Sequence, residues 1–179
     1  MLIIGLGNPD PTLESTYHNV GALAVQWIAE HALDGELETS APKFREHKGS
    51  FTYAKIGNRV FIRPLVFMNE SGRSVKDAMH VFGADAKEII VIHDDSDIPV
   101  GEFKHTTGGR SAGHKGIQSI IDHLHTEDFA RIRIGIREKD EVHRKKAGDF
   151  VLSPISSIDR ETFEEVFKKI FALVLSSQN

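Results

Sequence analysis

Cysteine is absent from this 179-residue chain, which excludes a disulfide framework, iron–sulfur ligation and a thiol nucleophile. No apolar run approaches the ~20 residues that a membrane-spanning helix needs. Met1-Leu2-Ile3-Ile4-Gly5 reads directly as structure, with no basic n-region, long apolar stretch or Arg-rich transit segment. A cytoplasmic location is the expectation. Glycine and proline, at 15 and 6 residues, are too few for a collagen-like or low-complexity chain. The length suffices for one domain, 1–179, whose core needs no staples. A net charge of −4 speaks against a generally basic nucleic-acid binder. The charge is uneven, however. Residues 101–146 carry ten Lys and Arg against seven acids, and five of the ten histidines. Such a segment is either a solvated face or a polyanion site on an otherwise acidic protein.

Apolar runs alternate with helical periodicity along the chain. Leu2-Ile3-Ile4-Gly5-Leu6 and Ile89-Ile90-Val91-Ile92 read as buried strands, and Phe51–Ile56 with Val60–Arg63 as a hairpin around Gly57-Asn58. Val20, Leu23, Ala24, Trp27, Ile28 and His31 recur at helical spacing. So do Val75, Ala78, Met79 and Phe82, then Ile117, Ile120, Ile121 and Leu124, and finally Phe163 through Val174. In Arg131-Ile132-Arg133-Ile134-Gly135-Ile136 the alternation predicts a half-buried strand with a basic outer side. The fold class is therefore α/β, with a mixed, mostly parallel central sheet flanked by helices.

Three polar loops follow strands, where such sheets place ligands. Gly5-Leu6-Gly7-Asn8-Pro9 lacks the third glycine opening a helix, so a dinucleotide fingerprint is disfavoured. In Phe67-Met68-Asn69 the asparagine suits either a helix cap or a substrate amide, and Phe67 and Met68 suit a core. His93-Asp94-Asp95-Ser96-Asp97 offers carboxylates that could hold a hard cation, the basis of a metal-dependent phosphoesterase reading through Asp94, Asp95 and Asp97. His123 and His125, two apart in a predicted helix, do not face each other and make no zinc pair. The glycines from Gly108 to Gly116 let backbone approach a phosphate closely. A hydrolase reading joins these loops. An imidazole, ordinarily titrating near ~6.5, takes a proton from water while a carboxylate fixes its tautomer. Asparagine amides donate to the developing oxyanion. His18, Asp94, Asn8 and Asn69 supply those groups, and no nucleophile-elbow serine competes with activated water.

Five motifs in order, from residue 1 to about 153, resemble bacterial-type peptidyl-tRNA hydrolases. They are Gly5-Leu6-Gly7-Asn8-Pro9, Thr16-x-His18-Asn19-Val20-Gly21, Phe67-Met68-Asn69-x-Ser71-Gly72, His93-Asp94-Asp95-x-Asp97-Ile98-Pro99-x-Gly101 and Gly113-His114-x-Gly116. The resemblance implies a three-layer sandwich and a monomeric esterase without metal or cofactor, cleaving peptide from the 3′-terminal ribose of tRNA. By position, His18 would be the base, Asp94 its orienting partner, and Asn8 the group that selects N-blocked substrates. Leu13, Phe67, Asn69, His114 and Lys115 would contact substrate, and Lys104 and Arg133 the tRNA phosphates. Departures from the pattern are Asp10 for glycine, Leu13 for tyrosine, Tyr17 for arginine, Lys115 for asparagine and Thr106 for a basic residue. These departures keep open an alternative on the same scaffold: a non-hydrolytic RNA-binding module, similar to plastid intron-splicing relatives.

Overall fold

Successive residues of a strand face opposite sides of a sheet, so an unbroken apolar run demands cover on both. The structure, a computed structural model, describes residues 1–32, 43–138 and 150–176 and meets that demand with helices on both faces. In chain order the regular elements are β1 (Leu2–Gly5), α1 (Val20–His31), β2 (Arg45–His47), β3 (Phe51–Ile56) and β4 (Arg59–Pro64). They continue with α2 (Ser71–Phe82), β5 (Ile89–Pro99), β6 (Phe103–Thr107), α3 (Lys115–Leu124), β7 (Ala130–Arg137) and α4 (Ser157–Ser176). The sheet order is β2-β3-β4-β1-β5-β7-β6. The four central strands, β4, β1, β5 and β7, run parallel, and antiparallel pairing is confined to the outer positions.

Ile3, Ile90 and Ile92 join the buried side chains of α1 and α4 on one face, together with Ile132, Ile134 and Ile136. Leu2, Ile4, Ile89 and Val91 join those of α2 and α3 on the other. The alternating members of each run thus feed two separate cores. Among the described residues this is a single three-layer α/β domain, as the patterning predicts.

Two readings need correction, and two edge strands were not predicted. His93–Asp97 is not a loop: β5 continues through it, because the ladder to β7 runs on through Asp94↔Ile134 and Asp95↔Gly135 and resumes at Pro99↔Arg137. Polar composition suggested a loop, but backbone pairing with a distant strand decides. The short strands β2 and β6 carry too little apolar patterning to stand out, since they lie at the sheet's two edges. Arg131 is not on a basic outer side. It is 3% exposed, its guanidinium lies over the Phe129 ring at 4.5 Å, and it donates to the carbonyls of Gly109 and Arg110.

Candidate active site

Strand order places β1 between β4 and β5, so the connections after these strands diverge and leave a crevice at their carboxyl ends. A cleft of about 960 Å³ opens there, lined by Asn8, His18, Phe67 to Asn69, His93 to Asp97, Thr106 to Lys115, Arg133, Val151 and Leu152. All three polar segments singled out in the sequence meet in it.

His18 sits in the 3-10 turn Tyr17–Asn19 that leads into α1. Its placement depends on close backbone approach. A Cβ on Gly21 would lie 2.3 Å from the Ile92 carbonyl oxygen, and one on Gly5 would lie 2.2 Å from that of Gly21. The glycines therefore seat the first turn of α1 directly on β1 and β5, which is their use here in place of a nucleotide loop. The His18 amide donates to the Val151 carbonyl at 2.7 Å. The buried Asn19 brackets the backbone of Asn8, accepting from its N–H at 2.8 Å and donating to its carbonyl at 3.0 Å. The sequence motif contains Asn19, but its role was not read; a polar residue inside an apolar helix start is the signal that marks it.

Asp94 is the hub. Its Oδ1 accepts from His18 Nδ1 and from His114 Nε2, both at 2.9 Å. The tautomers follow from the partners. His114 is the N-cap of α3, and its Nδ1 accepts from the Gly116 and Ile117 amides, so its proton is on Nε2. His18 donates through Nδ1, leaving the lone pair of Nε2 for a proton. Burial pushes the Asp94 carboxyl up, but the charges and hydrogen bonds of His114 and His18 more than offset this and hold it well below the ordinary carboxylate range. Behind the hub, His93 donates through Nδ1 to the Asp94 carbonyl at 2.7 Å, and its buried Nε2 has no partner among the described residues. Burial, then the neighbouring His114, push the His93 imidazole down to about 3.

The ring atoms of His18 and His114 and the Asp94 oxygen lie within 4.8 Å of one another, close enough to suggest a cation site. The His114 tautomer opposes that use, because its Nε2 bears the proton and Nδ1 cannot take it while facing two amides. The Asp94–Asp95–Asp97 cation cluster does not assemble either. Asp95 gives one oxygen to Arg133 at 2.7 Å and the other to the Asp97 amide at 2.8 Å.

Asn8 accepts from the Met68 amide through Oδ1 at 2.9 Å, so Nδ2 is the end of its amide left for the cleft. Asn69 makes no side-chain cap; α2 has Glu70 at that position, and Asn69 is exposed on the cleft wall. Phe67 is 52% exposed, whereas Met68 is core. Lys115 is exposed at the first turn of α3 and lines the cleft. Leu13 ends a 3-10 turn outside the lining residues. Lys104, exposed on β6, also lies outside them but is directly opposite Arg133 in the β6–β7 ladder. Val151 and Leu152, which the sequence reading missed, close the wall next to His18.

A family model described as peptidyl-tRNA hydrolase matches residues 2–178. A peptidyl-tRNA hydrolase from Sorangium cellulosum is 36% identical over 178 residues, covering 98% of this chain and 77% of the relative. One from Lactobacillus delbrueckii subsp. bulgaricus is 38% identical over 177 residues, covering 97% and 90%. Among solved structures, peptidyl-tRNA hydrolase from Acinetobacter baumannii superposes with a TM-score of 0.79 at 26% identity, covering 96% of this chain and 84% of that one.

Proposed function

The chain belongs to the peptidyl-tRNA hydrolase family and hydrolyses peptidyl-tRNA, and from that premise we propose that His18 is the general base of the reaction. The observation that carries the proposal is the 2.9 Å hydrogen bond from His18 Nδ1 to the buried Asp94, at the wall of the cleft. Asp94 fixes the tautomer and stabilises the imidazolium that forms. Nε2 takes a proton from water as the water oxygen bonds to the ester carbonyl carbon. The carbon–oxygen bond to the ribose then breaks, and the proton passes to the departing 3′ oxygen. Asn69 and the Nδ2 end of Asn8 are the amide donors for the carbonyl oxygen and the blocked peptide group. His114 braces Asp94 by donating to the same Oδ1.

The cleft walls divide the substrate. Phe67 and Leu152, about half exposed, suit the peptide, while Lys115, Arg133 and the nearby Lys104 suit phosphates. We propose that the enzyme acts as a monomer in the cytoplasm. Both are what the resemblance to the family implies, and no helix among the described residues is long and apolar enough to cross a membrane. The non-hydrolytic RNA-binding alternative is not favoured, since the family is hydrolytic and His18 and Asp94 are paired. The test is release of N-acetyl-amino acid from its tRNA ester, with free aminoacyl-tRNA as the control. His18→Ala is expected to lower kcat by ~10²–10⁴-fold, the usual effect of losing a general base. A near wild-type rate would overturn the assignment.

A further inference from the structure

The cation that the site offers to tRNA phosphate is not a freely moving arginine. Arg133 is held through Nε by Asp95 Oδ2 at 2.7 Å. Asp95 is itself immobilised, because its Oδ1 accepts from the Asp97 amide at 2.8 Å and its side chain is only 10% exposed. The chain of restraint thus runs from β5 backbone to carboxylate to guanidinium. An Nε contact leaves the two terminal amino groups as the remaining donors, and these are the pair that bind a phosphate in a fork. Lys104, directly across the β6–β7 ladder, brings a second cation beside them.

We infer that Asp95 is a positioning residue for tRNA: it aims Arg133, so that this fork and Lys104 form a preset phosphate clamp at the rim of the cleft. The inference rests on the reading that Arg133 contacts tRNA phosphate. It opposes the simple electrostatic expectation, in which a carboxylate 2.7 Å from the arginine only weakens anion binding. The two accounts differ in sign. If Asp95 merely neutralises, removing it strengthens tRNA binding. If Asp95 aims the guanidinium, truncating it weakens binding despite the charge gained, and a single oxygen retained there recovers part of the loss.

Asp95→Ala, Asp95→Asn and Arg133→Ala are therefore compared in the full chain. The substrates are N-acetyl-aminoacyl-tRNA and a short N-acetyl-aminoacyl-oligonucleotide without the tRNA body. Asp95→Ala is expected to raise KM for the tRNA substrate about tenfold, the scale of one charge-assisted hydrogen bond, with the effect in KM and not in kcat. Asp95→Asn keeps one oxygen for the Nε–H but turns its amino group against the Asp97 amide, so it should recover only part of the loss, with KM between those of wild type and Asp95→Ala. Circular dichroism reports whether each variant is folded, and the oligonucleotide shows how much of each effect needs the tRNA body. Arg133→Ala should raise KM on tRNA and lower the salt slope by about one unit. If Arg133→Ala changes neither KM nor slope, the underlying phosphate reading fails and the inference falls with it. If Arg133→Ala behaves as expected but Asp95→Ala binds tRNA as tightly as wild type or more tightly, Asp95 is no positioning residue.

Discussion

At the scale of single residues, Lys115 is the departure with the clearest chemical consequence. The family pattern has asparagine there, which both donates and accepts; an ammonium only donates. Lys115 stands exposed at the start of α3, a helix end that already favours anions, and it faces the cleft. Its charge therefore suits the 3′-terminal phosphates better than it suits a peptide amide or a water. Lys115→Asn is expected to raise the turnover of N-acetyl-aminoacyl-tRNA while weakening tRNA binding, read as kcat and KM separately. A tenfold fall in turnover would show that Lys115 has taken over a catalytic role. Tyr17, another departure, is accounted for by contacts far away in sequence. Its hydroxyl donates to Asp159 at the start of α4, and its ring packs edge-on against Phe150 and Phe163. It ties the turn bearing His18 to the C-terminal helix, a job that needs reach and a polar tip but no positive charge.

At the scale of elements, the site depends on how closely α1 seats on the sheet. The Leu6 carbonyl accepts from the Ala22 amide at 2.9 Å, and the Leu6 amide donates to the Ile92 carbonyl at 2.9 Å. Helix, first strand and fifth strand are thereby locked together within one turn of His18. Gly21→Ala puts a methyl group against backbone atoms that cannot swing aside, the Ile92 carbonyl above all. The expected cost is about 1–3 kcal/mol of stability, as for other overpacked sites. Activity should fall further than stability explains, since displacement of α1 lengthens the His18–Asp94 contact. Urea denaturation and kcat on the folded fraction check the two parts, and a fully active Gly21→Ala enzyme would contradict this account. The helix pair on the other face uses the same device: Gly72 of α2 meets Ser119 of α3, whose hydroxyl accepts from the Gly72 amide at 3.0 Å.

At the scale of the whole molecule, the buried cluster behind the cleft sets the response to acid. His93 is held neutral, its imidazole pushed from an ordinary 6.5 down to about 3 by burial and by His114. Between those values the unfolded chain binds a proton that the folded chain refuses. Stability therefore rises with pH across that window and is lost as pH falls through it. Asp94 acts at lower pH. Its folded carboxyl lies below the ordinary 3.8, so the stabilisation it contributes is present above that value and lost as pH falls further. His93→Asn keeps a donor for the Asp94 carbonyl but removes the titration. The variant should lose some stability at neutral pH through lost packing, yet its unfolding free energy should vary less between pH 6.5 and pH 4. Urea midpoints across that range measure the slope; a slope equal to wild type would refute the role of His93.

The sequence by itself determined the layers, because burial on two faces writes an unbroken apolar run and burial on one face writes a stripe. Leu2-Ile3-Ile4, Ile89 to Ile92 and the stripes of α1, α2, α3 and α4 were legible for that reason. It also determined which residue types could do the chemistry, as His18, Asp94, Asn8 and Asn69 stand in polar segments that a core does not need. Tertiary structure decided how they are joined. That Asp94 serves two histidines, that His114 is both cap and brace, and that Arg133 is hydrogen-bonded to Asp95 depend on residues 20 to 76 positions apart. No local periodicity encodes such a pairing, because a hydrogen bond between side chains leaves no repeat in the chain. Edge strands β2 and β6, the strand continuing through His93–Asp97 and the buried Arg131 were hidden for the same reason. Each owes its conformation to a partner supplied by folding, not to its own composition.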